Sequence, residues 1–207
     1  AKHAERTQSS QRLRFLFASL CVLAWIFCDL CVNSPSSLLF TETHYRRGQK
    51  RMKRTIVRFF ATGFFSGYSP VAPGTAGSVV GVIIHLAAYY LWSSLPYFWL
   101  FYTLGVIIIS VVGIWICSEA EAIFEEKDAH PIVWDEIAGY LITMIGIQPE
   151  VWWIIGGFIL FRVLDVIKPG PLYSLQRLPS GLGIMIDDVG CGILGCIILH
   201  GVRCVIG

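Results

Sequence analysis

Apolar runs and short polar turns alternate along the chain from residue 76 to its end. Residues 76–92 form the first run. The uncharged turn 93–96 separates it from a second, 96–117, whose start is rich in aromatic residues, as an interfacial belt is. Residues 118–131 are polar and mostly acidic. The apolar run 137–147 is short and reaches spanning length only if its helix begins near Ile132, which carries Asp135 and Glu136 into the first turns. The turn 148–150 leads into a run at 151–167 that contains Arg162 and Asp165. A Pro/Gly-rich loop, 168–188, precedes a last run at 189–206, where Gly190, Gly192 and Gly195 permit close helix packing in lipid. About 20 residues cross a hydrocarbon core as a helix. The pattern therefore predicts an all-α membrane protein, a bundle of about four core transmembrane helices.

The first fifty residues read differently. A polar, basic stretch (Lys2, Arg6, Arg12, Arg14) precedes an apolar segment at 15–32 that Asp29 interrupts and a Ser/Pro-rich stretch follows. This resembles a signal anchor and adds one N-terminal apolar segment to the expected bundle. A denser basic cluster follows: Arg46, Arg47, Lys50, Arg51, Lys53, Arg54 and Arg58. Positive residues favour the cytoplasmic side, and one span cannot place both clusters there. The first methionine is Met52, and Met52-Lys53-Arg54 reads as an ordinary bacterial N-terminus. The expected division is thus an N-terminal extension at 1–51, outside the native protein, and an integral membrane domain at 52–207. N-terminal peptides from the natively expressed protein are expected to begin near Met52; peptides from 1–51 would refute this.

Composition narrows the class. Of the 207 residues 55% are hydrophobic and 14% charged, whereas soluble domains carry about 25% charged residues. A net charge of +2 gives no reason to expect a nucleic-acid partner. The seven cysteines are odd in number, lie in or beside apolar runs and lack metal-site spacing, so they read as small apolar filler.

With the basic segment 52–58 in the cytoplasm, the turns 93–96 and 148–150 fall outside, and 118–135 and 168–188 fall inside. Nearly every charge of the core then lies at the cytoplasmic face. Four groups meet there. The Pro/Gly stretch 67–78 feeds a helix, with Thr75 or Ser78 as N-cap. Ser69, Thr75, Ser78 and free backbone N–H groups at such a helix start suit a phosphate. Asp135 and Glu136 are adjacent carboxylates in an apolar setting, costly unless paired or metal-bound. Arg162, Asp165 and Lys168 share one helical face by their spacing of three, as a structural ion pair or as a phosphate clamp. Asp187 and Asp188 head the last apolar run. Two carboxylate pairs on one face point to magnesium, which takes few carboxylates and completes its shell with water and substrate phosphate. Asp135, Glu136, Asp187 and Asp188 are the candidate metal ligands. The combination suits hydrolysis of a phosphate monoester, by direct attack of water or through a phospho-aspartate. A lone loop histidine, His130, adds little.

The stretches 63–78 (GFFSGYSPVAPGTAGS), 132–139 (IVWDEIAG), 161–171 (FRVLDVIKPGP) and 181–188 (GLGIMIDD) occur in this order over nearly the whole core. On these motifs the chain from about residue 60 to 202 closely resembles the bacterial phosphatidylglycerophosphatase A family. The resemblance implies magnesium-dependent removal of the terminal phosphate from phosphatidylglycerophosphate, giving phosphatidylglycerol, in the bacterial cytoplasmic membrane. It implies Asp135, Glu136, Asp165, Asp187 and Asp188 as metal and catalytic candidates and Arg162 and Lys168 as phosphate candidates. Gly181-Leu182-Gly183 stands where consecutive glycines are expected. Other classes fit less well. A type-2 phosphatidic acid phosphatase needs Pro-Ser-Gly-His, but Leu182 follows Pro179-Ser180-Gly181. The aspartate–glycine–arginine array of CDP-alcohol phosphotransferases is absent, and no repeated halves suggest a transporter. A non-catalytic assembly factor would tolerate Asp187→Asn and Glu136→Gln. The sequence sets no oligomeric state.

Overall fold

The computed structural model describes residues 41–126, 128–168, 170, 178 and 180–206, with side chains from residue 51 onward. The apolar segment at 15–32 lies outside the described residues, as do positions 169, 171–177 and 179 of the Pro/Gly loop. Six α-helices run in order: α1 (Thr41–Ala61), α2 (Pro73–Trp92), α3 (Phe98–Phe124), α4 (Trp134–Thr143), α5 (Val151–Ile167) and α6 (Gly181–Ile206). A 3-10 turn, Ser66–Tyr68, lies between α1 and α2. No strand occurs among the described residues. Helix α1 passes through Arg51 and Met52 without a break; residues 47–207 form one compact unit.

Three helices, α2, α3 and α6, are long and apolar enough to cross a membrane. Their apolar side chains cannot all be buried in one another, and Ile83, Leu91, Phe101, Val111, Ile193 and Ile197 lie exposed along them. In lipid this is the favourable arrangement, since the surrounding medium is as apolar as the side chains. Helix α5 spans 17 residues, about 25 Å at 1.5 Å per residue, and exposes Ile155, Ile159, Val163 and Val166 along one stripe.

The segment expected to span from Ile132 to Ile147 is helical over only 10 residues, Trp134–Thr143, about 15 Å or half the hydrocarbon thickness. Its end is set by Gly146, which adopts φ +77°. Carbonyls released in the turn need partners at membrane depth, and α6 supplies them. Cys196 Sγ and His200 Nε2 approach the Ile145 carbonyl at 3.7 and 2.9 Å, and Arg203 donates to the Gly146 carbonyl at 3.1 Å. The short helix is the centre of the bundle, packed on α2, α3, α5 and α6, and every residue of it except Glu136 is buried.

Small residues permit that packing. A Cβ at Gly192 would lie 2.5 Å from the Gly139 carbonyl oxygen, and one at Gly195 would meet Thr143 at 3.1 Å. Two of the three expected close-packing glycines on α6 thus mark where it crosses α4. Helix α6 itself begins eight residues earlier than its apolar run suggests. Asp187 and Asp188 therefore sit in its second turn, already inside the bundle.

Candidate functional site

Five helix ends converge at one end of the bundle: the starts of α2, α4 and α6 and the ends of α3 and α5. Each arrives for a local reason. Helix α2 starts at Ala72 with Pro73 as first residue, where a missing N–H and a preset φ favour initiation. Neither Thr75 nor Ser78 caps it, because Pro73 starts the helix earlier. The N–H groups of Gly74 and Thr75 fall in the first turn, which leaves them no acceptor within the helix. The Ser78 hydroxyl is fully buried and donates to the Gly74 carbonyl at 3.0 Å. Ser69 closes the 3-10 turn, its N–H donating to the Ser66 carbonyl.

Helix α4 opens with Trp134, Asp135 and Glu136. Both carboxylates thus stand in a first turn, where the helix dipole favours negative charge. The chain entering it is anchored by the Val133 N–H, which donates to the Ala61 carbonyl at 2.9 Å. The Trp134 indole donates to the Ile109 carbonyl of α3 at 3.2 Å. Helix α6 is tied to α3 by Ser118, whose hydroxyl accepts from the Gly181 N–H at 3.1 Å and donates to the Ile114 carbonyl at 2.8 Å. Ser118 is a residue that sequence reasoning misses, since one serine in an acidic stretch carries no signature.

The charged side chains sort into two groups. The first is a relay of ion pairs. Arg162 donates to Asp165 at 2.7 Å, Lys168 stands 3.7 Å from the other Asp165 oxygen, and Lys168 also donates to Asp187. Burial alone would lower the Lys168 pKa, but the Asp187 hydrogen bond and the charges of Asp188, Asp187 and Asp165 outweigh it. The ammonium is held well above its ordinary range. Lys168 ends α5 in the left-handed region, with its N–H donating to the Leu164 carbonyl at 2.7 Å.

The second group is a carboxylate triad. Asp135, Glu136 and Asp188 each offer an oxygen, and these oxygens lie within 4.8 Å of one another. Asp135 and Asp188 are 7% and 2% exposed. No lysine or arginine pairs with any of the three among the described residues. Asp135 Oδ1, Glu136 Oε2 and Asp188 Oδ2 are buried without a hydrogen-bond partner, as is Asp187 Oδ1. Across both groups five carboxylates face two cations. An uncompensated buried carboxylate costs several kcal/mol, and a metal ion meets that need with the oxygen ligands such ions prefer. The triad is therefore able to hold a metal ion. Of the four metal candidates the sequence suggests, three come together; Asp187 turns instead to Lys168, because Asp187 and Asp188 are neighbours on a helix and point about 100° apart.

One small residue joins the groups. A Cβ at Gly74 would collide with Glu136 Oε1 and lie 3.1 Å from both terminal nitrogens of Arg162. The start of α2, a triad carboxylate and the guanidinium thus border one small space that a side chain would fill. His130 is exposed and outside this group.

A helical bundle with three helices long and apolar enough to cross a membrane, and with a buried carboxylate centre flanked by an arginine and a helix start, defines a class: a membrane protein with a centre able to hold a cation. The family model for phosphatidylglycerophosphatase A matches residues 59–203. The chain belongs to the phosphatidylglycerophosphatase A family and is a phosphatase. It is 37% identical to phosphatidylglycerophosphatase A of Escherichia coli (strain K12) over 142 residues, 68% of this chain and 79% of the relative. It is 35% identical over 149 residues to phosphatidylglycerophosphatase A of Haemophilus influenzae, 71% of this chain and 88% of the relative. A putative phosphatidylinositol-3-phosphatase of Bacteroides thetaiotaomicron is 36% identical over 151 residues, 70% and 92% of the two chains. No solved structure matches the chain.

Proposed function

We propose that the protein hydrolyses the terminal phosphate monoester of phosphatidylglycerophosphate to phosphatidylglycerol and inorganic phosphate, with magnesium held by Asp135, Glu136 and Asp188. The observation that carries this reading is the carboxylate triad, without a cation partner among the described residues, bordering the space shared by Gly74 and Arg162. A bound magnesium ion supplies charge neutralisation at phosphoryl oxygens. The protein's own groups supply the rest. Arg162 presents a planar fork that matches two phosphoryl oxygens, and Asp165 holds that fork in place. Backbone N–H groups of Gly74 and Thr75 face the same anion from the α2 start, with Thr75 and Ser69 flanking it. Lys168, positioned by Asp187 and Asp165, keeps a positive charge beside the centre. A carboxylate of the site accepts the proton of an attacking water or itself attacks phosphorus. These donors act on charge that develops in the transition state.

The name that two relatives share supports the glycerophosphate headgroup, and a third relative carries a different headgroup in its name. Phosphate release from phosphatidylglycerophosphate, phosphatidate and phosphatidylinositol 3-phosphate, compared at equal surface concentration, tests this. The first is expected to be the best substrate by at least tenfold in kcat/KM; a higher value for either of the others would overturn the assignment.

The site is proposed to face the cytoplasm of a bacterial cell, in the inner membrane and within phospholipid synthesis. Basic residues of α1 support that side: Lys53 pairs with Glu119 at 2.9 Å and the Arg58 guanidinium lies 5.6 Å from the centre of the Phe124 ring, both at the α3 end that borders the site. Cysteines introduced at positions 94 and 180 are expected to show opposite accessibility to an impermeant label in intact cells; equal labelling would refute the topology.

A further inference from the structure

The turn after α1 holds three successive residues in the left-handed region: Gly63 at φ +52°, Phe64 at +58° and Phe65 at +71°. Bulky L residues rarely adopt that conformation. The turn is locked from within. The Phe64 N–H donates to the Phe59 carbonyl at 2.9 Å, the Gly67 N–H to the Thr62 carbonyl at 2.9 Å, and the Phe65 N–H to the buried Thr62 hydroxyl at 3.2 Å. Its inner side rests on the chain that starts α4. A Cβ at Gly63 would lie 2.9 Å from Ile137 and Val133, and one at Gly67 would collide with the Pro131 carbonyl oxygen. The consequence is that Phe64, Phe65 and Tyr68 are pushed outward, 42%, 55% and 52% exposed, in a ring cluster with Phe59.

Beside this aromatic knuckle runs a basic stripe. Arg51, Arg54 and Arg58 recur at spacings of three and four, so they share one face of α1. All three are exposed, and among the described residues none has a carboxylate partner. Val57, about a quarter turn away, faces the core, and the stripe ends at the buried Ala61, where α1 enters the bundle. Exposed aromatic rings next to arginines that have no carboxylate partner among the described residues, on an amphipathic helix, match the chemistry of a membrane interface, where rings enter the glycerol level and guanidinium groups meet phosphate.

We propose that the Arg51–Arg54–Arg58 stripe and the Phe64–Phe65–Tyr68 knuckle form a seat for anionic phosphoglyceride headgroups, which concentrates them beside the start of α4 and so beside the site. The occupant is a lipid of the surrounding leaflet. A free anion would satisfy the arginines but give no reason for the exposed rings. Headgroup binding stands on these residues alone; only its effect on turnover rests on the lipid phosphatase reading.

The test uses the full chain in phosphatidylcholine vesicles with spin-labelled phosphatidylglycerol or spin-labelled phosphatidylcholine as probe. At about 0.05 M salt the motionally restricted fraction is expected to favour the anionic probe, by about five-fold per arginine at most. About 1 M salt removes that preference by screening. R51Q/R54Q/R58Q lowers it at least three-fold, R51K/R54K/R58K restores it, and F64A/F65A lowers it with the arginines intact. In parallel, KM for phosphatidylglycerophosphate rises several-fold in the glutamine variant while kcat is unchanged. Equal preference in wild type and glutamine variant, or none in wild type at low salt, overturns the seat. Should the glutamine variant fail to fold, the salt comparison on the wild type decides. Anionic preference without any turnover refutes the phosphatase reading and leaves the seat standing; turnover without preference does the reverse.

Discussion

Asp188→Asn is expected to abolish most activity while making the metal-free protein more stable. Asp188 is 2% exposed, has no cation partner among the described residues, and leaves one oxygen without a hydrogen bond. If it is a metal ligand, removing its charge costs several kcal/mol of transition-state stabilisation, about 10³-fold in kcat. The same change relieves repulsion from Asp135 and Glu136, whose oxygens lie within 4.8 Å. Replacing an unpaired buried charge by a neutral group of the same shape removes a desolvation cost of about 1–3 kcal/mol. Thermal unfolding in chelator should therefore occur at higher temperature in the variant than in the wild type. Added magnesium should raise the wild-type midpoint by mass action and leave the variant nearly unmoved. A variant that loses activity and stability together, in chelator, would make Asp188 a structural residue instead.

Arg162 is expected to give the second largest effect, with the opposite sign on stability. Its guanidinium donates to Asp165 at 2.7 Å and borders the space at Gly74. Arg162→Ala removes both functions. It should lower kcat/KM by about 10²–10³-fold, the cost of deleting one preorganised donor. It should also destabilise the fold by about 1–3 kcal/mol, because Asp165 is only partly exposed and among the described residues keeps just the more distant Lys168. Arg162→Lys keeps the charge but loses the fork, so it should recover most stability and little activity. Near-normal kcat/KM in the lysine variant would mean that Arg162 acts as a point charge, not as a bidentate clamp.

These two residues also show what the sequence reveals and where it stops. That Arg162, Asp165, Asp187 and Asp188 share one face follows from charge placed between apolar runs, because an ionisable group in a membrane helix is costly and must find company. Which partner each takes does not follow. Asp187 and Asp188 are alike in sequence, yet helix α6 starts early enough to turn one to Lys168 and the other to the triad. The early start reflects the Gly181 contact with Ser118, 63 residues away, and no local pattern announces it. Helix α4 is a similar case. The apolar run around it has the composition of a span, but its C-terminal turn is stabilised by His200 and Arg203 from the far end of α6. Cooperation of that kind lies in tertiary structure alone. The start of α2 is legible in the sequence, since Pro73 is a strong first-turn residue and sets the helix start ahead of the hydroxyl side chains of Thr75 and Ser78.

The most direct test of the central claim is phosphate release from phosphatidylglycerophosphate by the purified full chain in detergent, measured with magnesium and with a chelator, and with Asp188→Asn alongside. Turnover that requires magnesium and falls about 10³-fold in the variant is the predicted result. Well-folded protein that releases no phosphate, or that turns over equally in chelator and in the variant, would contradict the carboxylate triad as the metal-dependent centre of a lipid phosphatase.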